Sequence, residues 1–255
     1  MSLIISVANQ KGGVSKSTTA QALVTGLADK GYKSLGIDFD PQGSVSFSTA
    51  INSDKPTIYE VLKGETSIDE AIQHIDNFDI LPSNILLSGV EVEFTKTGRE
   101  YLLKEVLQNI KDNYDFIIID CPPSLSLLTI NAFTTADLIL IPMIADVFSI
   151  QGITQLNDTI MQVKKYCNSK LDIVGILLTK FNKRQNLSMG VKNTIEELAE
   201  KLDTKIFKTF IRESVAIREA QIQQKNLLSY DIKSNATIDY NSFIDEFLKR
   251  IERFK

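Results

Sequence analysis

Short, nearly continuous apolar runs alternate along this chain with longer stretches in which apolar residues recur every three or four positions. The runs Phe116-Ile117-Ile118-Ile119 and Leu138-Ile139-Leu140-Ile141 are apolar at every position, the pattern of strands covered on both faces. Such runs predict strands at residues 3–8, 34–38, 78–81, 115–120, 137–142, 172–178 and 205–210. Helical spacing predicts helices near 16–30, 99–112, 124–135, 150–167, 187–202 and 236–253. In the first of them Ala20, Leu23, Val24, Leu27 and Ala28 share a face, and Gly31 supplies the stop. The alternation predicts a doubly wound α/β fold around a mostly parallel sheet, where ligands bind at the carboxyl ends of the strands. No internal repeat or Pro/Gly-rich linker interrupts the pattern, so a single domain over residues 1–255 is expected.

Between the first strand and the first helix stands Lys11-Gly12-Gly13-Val14-Ser15-Lys16-Ser17. Strand, glycine-rich loop and helix form the layout of a phosphate cradle. Backbone N–H groups of the loop and of the helix start converge on one spot, and the helix dipole favours an anion there. Lys16 supplies a point charge, and Ser17 supplies a hydroxyl suited to Mg²⁺. The common pattern G-x-x-x-x-G-K-[ST] wants glycine at positions 10 and 15. This chain has Gln10 and Ser15 there, and a second lysine, Lys11, at the front. If position 15 needs a positive φ, serine costs on the order of 1–2 kcal/mol.

Two acidic segments fall at strand ends. Asp38-Phe39-Asp40-Pro41-Gln42-Gly43 follows the second strand, and Asp120-Cys121-Pro122-Pro123 follows four apolar residues. A carboxylate at the end of a buried strand is costly unless a charged partner meets it. Mg²⁺ beside bound phosphates would be such a partner, and phosphoryl transfer needs little beyond cradle, metal, water and carboxylate. Each aspartate also has a plain reading as a turn or cap residue.

The order Lys-Gly-Gly-x-x-Lys-Ser resembles the deviant Walker A motif of the ParA/MinD family, dimeric ATPases that position DNA, division sites or other cargo. The resemblance extends through the D-x-D-P-Q-G segment, Pro122-Pro123-Ser124-Leu125 with Asn131-Ala132, residues 148–152, residues 177–182, and the late run Ile211-Arg212-Glu213-Ser214-Val215 with Glu219-Ala220-Gln221. It implies ATP/ADP and Mg²⁺ as cofactors. Gly12, Gly13, Val14, Ser15, Lys16, Ser17 and Thr18 would bind the nucleotide. Lys11 would reach the nucleotide of the other subunit in an ATP-bound homodimer. Asp40 would position the attacking water, Asp120 with Ser17 would serve the metal, and Asp38 would support. Chromosomal relatives more often carry proline at the positions of Arg212 and Gln221; this version is that of many plasmid-type ParA proteins. The partner implied is a ParB-like centromere-binding protein that stimulates hydrolysis.

Composition narrows the cargo. The chain has net charge −4, which argues against coating DNA through global charge. Between residues 180 and 225, however, ten Lys or Arg face six Asp or Glu, a local +4. Lys183, Arg184, Arg212 and Arg218, with Lys192 and Lys225, are the candidates for a phosphate-gripping surface that reads no bases. The two cysteines, Cys121 and Cys167, lack metal-ligand spacing and suggest a reduced compartment. No signal peptide and no membrane-length apolar run is present, so a cytoplasmic, nucleoid-associated protein without stable membrane association is expected. No helix-turn-helix module precedes the loop, as in short ParA proteins.

Two other readings stay open. Residues 241–255 place Phe243, Ile244, Phe247, Leu248, Ile251 and Phe254 at helical spacing among basic residues, which suits either a docked last helix or a MinD-like membrane-surface helix. Similar loops also serve metabolic enzymes such as nitrogenase iron protein and dethiobiotin-synthetase-like ligases. Cys121 has no companion cysteine placed to share an iron–sulfur cluster, and His74 sits in a stretch read as polar helix, far from any motif.

Overall fold

The computed structural model describes residues 2–181 and 189–254. Its centre is a seven-stranded sheet built from β1 (Leu3–Val7), β2 (Ser34–Asp38), β3 (Gln73–Ile75), β4 (Phe78–Leu81), β5 (Phe116–Asp120), β6 (Leu138–Ile144) and β7 (Asp172–Thr179). The strand order is β3-β4-β2-β5-β1-β6-β7. Every pairing is parallel except the β3–β4 hairpin at one edge. The helices of eight residues or more are α1 (Lys16–Asp29), α2 (Leu127–Thr135), α3 (Val147–Tyr166), α4 (Met189–Lys201), α5 (Val215–Ile222) and α6 (Asn235–Ile251).

The continuous apolar strands have the cause that their sequence suggested: both faces are covered. Along β5, Ile117 and Ile119 pack into one apolar layer, which includes Phe133 of α2 and Ile195 of α4. Phe116 and Ile118 pack into the other, against Leu23 and Leu27 of α1 and Phe243 and Phe247 of α6. The result is a helix–sheet–helix sandwich of the doubly wound kind. Helix α1 ends as its sequence predicts. Gly31 takes φ 88°, and the amides of Gly31 and Tyr32 return to the carbonyls of Ala28 and Leu27.

Helix α6 settles one open reading. Phe243, Ile244 and Phe247 are fully buried, and Ile251 is nearly so. The apolar stripe is spent on the sheet and is unavailable to a lipid surface. No helix among the described residues is long and apolar enough to cross a membrane.

Four expectations need correction. Residues 205–210 form no strand: Ile206 makes a single bridge to Ile176, and beyond it the Thr209 amide goes to Glu246 of α6, while the Leu178 carbonyl takes the amide of Ile211 instead. The stretch around His74, read as helical, is edge strand β3 with a tight turn at Asp76, φ 50°. The expected helix at 99–112 breaks into Arg99–Tyr101, Leu102–Leu107 and Lys111–Asn113. Helix α5 and the short helix Ser44–Ser48 were not anticipated.

Candidate functional site

Because β5 lies between β1 and β2, the loops leaving these three strands emerge side by side. Val7 is in register with Asp120, and Asp120 with Asp38, so both acidic segments come alongside the glycine loop.

The loop is pinned at both ends. Asn9, buried, donates from Nδ2 to the Pro142 carbonyl at 2.7 Å and accepts the Lys11 amide at 3.0 Å. The Val14 carbonyl accepts the Thr179 hydroxyl at 3.1 Å. Gly13 takes φ 74°, and Ser15, the residue capping α1, takes φ 65° and ψ 31°. Position 15 therefore does require the left-handed region, and the strain anticipated for serine is present. Its side chain makes no capping hydrogen bond in return. The first amides of α1 have no partner within the helix.

Lys16 is 7% exposed and donates from Nζ to the Lys11 carbonyl at 3.2 Å. Burial lowers its pKa, and Asp120 and Asp40 oppose that shift. Lys11 points elsewhere: its Nζ pairs with Asp146, just beyond β6.

The carboxylates differ in their partners. Asp38 accepts the Ser46 amide and hydroxyl, each at 2.7 Å, and the Asp40 amide at 3.3 Å. Ser46 Oγ in turn accepts the Ser83 amide at 2.9 Å. Asp38 thus organises the helix Ser44–Ser48, and full burial pushes its pKa up to about 6 despite those donors. Asp40 accepts the Gln42 amide at 3.0 Å and faces the cleft. Asp120 is 1% exposed, and neither carboxylate oxygen has a hydrogen-bond partner. Burial, then the charge of Asp38, drives its pKa well above the usual range, with Ser17 and Lys16 pulling the other way. An orphaned buried carboxylate beside a hydroxyl supplies oxygen donors for a cation site completed by phosphate and water, while the nearby Lys16 suits the phosphate. Among the described residues no cluster of three His, Cys, Asp or Glu would hold a metal alone.

The glycine loop, Lys16, Ser17 and Asp40 border a cleft of about 350 Å³, whose lining does not include the more deeply set Asp38 and Asp120. Its near end is the glycine loop; its far wall is Ile211, Arg212, Ser214, Ile217 and Gln221. Gln221 reaches back to the Thr18 hydroxyl at 3.3 Å. A larger hollow of about 580 Å³ lies at the opposite end of the sheet. It has no glycine loop, and its three lysines face three carboxylates.

Of the four basic candidates, the two described, Arg212 and Arg218, both line the cleft. Lys183 and Arg184 lie outside the described residues. Arg212 is held by Asp239 in a fork, Nε to Oδ2 at 2.8 Å and Nη2 to Oδ1 at 2.7 Å. It lines the cleft with its side chain 40% exposed. Arg218 is exposed on α5 at the mouth of the same cleft. Three residues that sequence reasoning missed matter here: Asn9, Asp146 and Asp239. Only Asn9 carried a local signal, by its place between strand and loop.

A family model described as an AAA domain matches residues 2–173. The sporulation initiation inhibitor protein Soj of Bacillus subtilis is 39% identical over 245 residues, covering 94% of this chain and 96% of Soj. The solved structure of a Borrelia burgdorferi plasmid partition protein bound to AMPPNP matches with TM-score 0.79 at 30% identity, covering 98% of this chain and 99% of that one. The structure of cobyrinic acid a,c-diamide synthase from Mycobacterium smegmatis, with bound ADP and magnesium, matches with TM-score 0.84 at 30% identity, covering 100% of this chain and 97% of that one. With the loop, the paired strand-end aspartates and the near full-length match to Soj, the chain belongs to the ParA/Soj family of P-loop ATPases.

Proposed function

We propose that this protein is a ParA-type partition ATPase that acts as a single unit over its whole length. It would bind Mg-ATP in the cleft, close into a homodimer and grip DNA without reading its sequence. The observation that carries the reading is the glycine loop with two lysines set against Asp40 and the unpartnered Asp120. Support for the nucleotide comes from the related structures solved with ADP and magnesium and with AMPPNP.

In this reading the backbone of Gly12 to Ser17 cradles the phosphates, and Lys16 neutralises them from inside the loop. Ser17 and Asp120 would hold Mg²⁺, which when bound neutralises charge on the phosphates. Asp40 orients the attacking water. Lys11 leaves Asp146 and crosses to the nucleotide of the other subunit. Hydrolysis is slow until a ParB-like partner stimulates it, and the ADP form releases DNA. Dimerisation doubles the local positive charge, so an acidic protein acquires DNA affinity only with ATP. Arg218 is the described residue placed best for that contact.

The test is sedimentation or gel shift with nonspecific duplex, comparing ATP, ADP and no nucleotide at low and raised salt. DNA binding with ATP alone, lost on raising salt, is the expected result. The name of the cobyrinic acid a,c-diamide synthase match favours a second reading, an ATP-dependent amide-forming enzyme. Absence of DNA binding in every nucleotide state would overturn the partition reading and favour that one.

A further inference from the structure

Residues 205–212 lead from the edge of β7 to the far wall of the cleft without becoming a strand. The sheet holds them at a few points: Phe207 N donates to Ile176 O at 2.8 Å, and Ile211 N to Leu178 O at 2.8 Å. Helix α6 takes the positions between. The amides of Lys208 and Thr209 each donate to Glu246 at 2.8 Å. Arg250 donates to the carbonyls of Lys205 and Ile206 at 2.9 and 3.1 Å and lies 3.7 Å over the Phe207 ring. At the cleft end, Asp239 receives three donors from one residue: the Arg212 amide at 2.9 Å and the two arms of its guanidinium. Asp239, Glu246 and Arg250 fall on one face of α6, at spacings of seven and four. The neighbouring Tyr240 shares a hydrogen bond of 3.1 Å with Thr19 of α1, both residues being fully buried. One helix is therefore tied to the wall at Arg212 and to the helix that carries the phosphate loop.

We propose that Asp239 is a positioning residue of the nucleotide site, setting through Arg212 the wall that meets the nucleoside while the glycine loop holds the phosphates. The proposal rests on reading the cleft as a nucleotide site. Asp239 itself does not line the cleft; Arg212 does. A fork with a backbone amide fixes both the side chain and the main chain at position 212. Ile211 stays tied to Leu178 and Phe181, but loss of the fork lets residues 212–214 shift against the loop, and a shift of the wall matters only to a ligand that reaches it.

The test measures binding of ATP, ADP and inorganic tripolyphosphate, by calorimetry or competition, to wild type, Asp239→Asn, Arg212→Lys and the double variant. Thermal midpoints are recorded alongside. In Asp239→Asn, ATP and ADP should weaken about tenfold, which is near 1.4 kcal/mol, while tripolyphosphate stays within about twofold. Arg212→Lys keeps the charge and loses the fork, so it should show the same split, and the double variant should be little worse than either single change. Equal weakening of all three ligands, no weakening of any, or simple addition of the two losses would overturn the proposal alone. So would a wild type that binds ATP but not tripolyphosphate, because phosphates and nucleoside would then not be held by separate halves. A wild type that binds none of the three would overturn the nucleotide reading, and the proposal with it.

Discussion

Ser15→Gly offers a direct measure of strain in the phosphate loop. Ser15 sits at φ 65° and ψ 31°, where a residue with a Cβ costs about 1–2 kcal/mol. The hydroxyl returns nothing to the helix, because no capping bond is made. Glycine removes the strain but adds backbone freedom to the unfolded chain, worth about 0.5–1 kcal/mol against the variant. The net expectation is a gain of about 0.5–1 kcal/mol, or roughly 1–4 °C in Tm for a chain of this size. Urea denaturation without nucleotide is the assay, read as a higher midpoint with unchanged slope. Ser15→Ala is the control: it keeps the strain and loses only the hydroxyl, so it should match wild type within about 0.5 kcal/mol. A Ser15→Gly variant no more stable than wild type would refute the strain argument. A Ser15→Ala variant that loses about 1 kcal/mol would show instead that the hydroxyl stabilises the loop.

Further expectations concern the charged residues and one glycine. The raised pKa of Asp120 means that the native state keeps a proton which the unfolded chain releases near its ordinary value of 3.8. The contribution of Asp120 to wild-type stability therefore falls as pH rises above about 4. Asp120→Asn escapes this loss and should become progressively more stable than wild type towards neutral pH, by about 1–3 kcal/mol; a difference constant with pH in urea titrations would contradict it. The Lys11–Asp146 pair is about one third exposed on each side, so Lys11→Ala should cost at most about 1 kcal/mol of stability. The same variant should bind ATP but lose ATP-dependent dimerisation or hydrolysis, and unchanged hydrolysis would sink the cross-subunit role. At Gly175 an added Cβ would lie 2.5 Å from Arg250 Nη1 and from Phe207, and 3.0 Å from the Lys205 carbonyl. Gly175→Ala should lose about 1–3 kcal/mol by thermal denaturation, and a neutral result would show that residues 205–207 yield freely.

The strands that carry the site were legible because burial on both faces leaves no polar position to confuse the pattern, as in Phe116 to Ile119. The chemistry was legible because a phosphate loop needs its residues consecutive, and because Asp40 and Asp120 stand where strands end. Strand β3 was not legible: three residues at an exposed edge, with His74 outward, leave too little apolar signal. Residues 205–210 misled for the opposite reason. Phe207 is buried and Ile206 partly so, and both neighbours of the bridge at Ile206 do bond to Ile176, yet the Thr209 amide that would continue the ladder goes to Glu246. The partners of Lys11 and Arg212 could not be read at all, since Asp146 and Asp239 lie far along the chain and become neighbours only through the sheet and the last helix.

The position of β1 has a consequence for how the protein comes to exist. It is made before the other six strands of the sheet, yet its two neighbours are Phe116–Asp120 and Leu138–Ile144. Ile4, Ile5 and Val7 must wait, with both edges unsatisfied, until those segments have been made. The rear of α1 waits longer still, for Tyr240 and Phe243. Synthesis order and assembly order are thus inverted around the phosphate loop. A nascent chain would be unable to hold nucleotide until α6 had emerged, and loss of α6 would disable a loop more than two hundred residues before it.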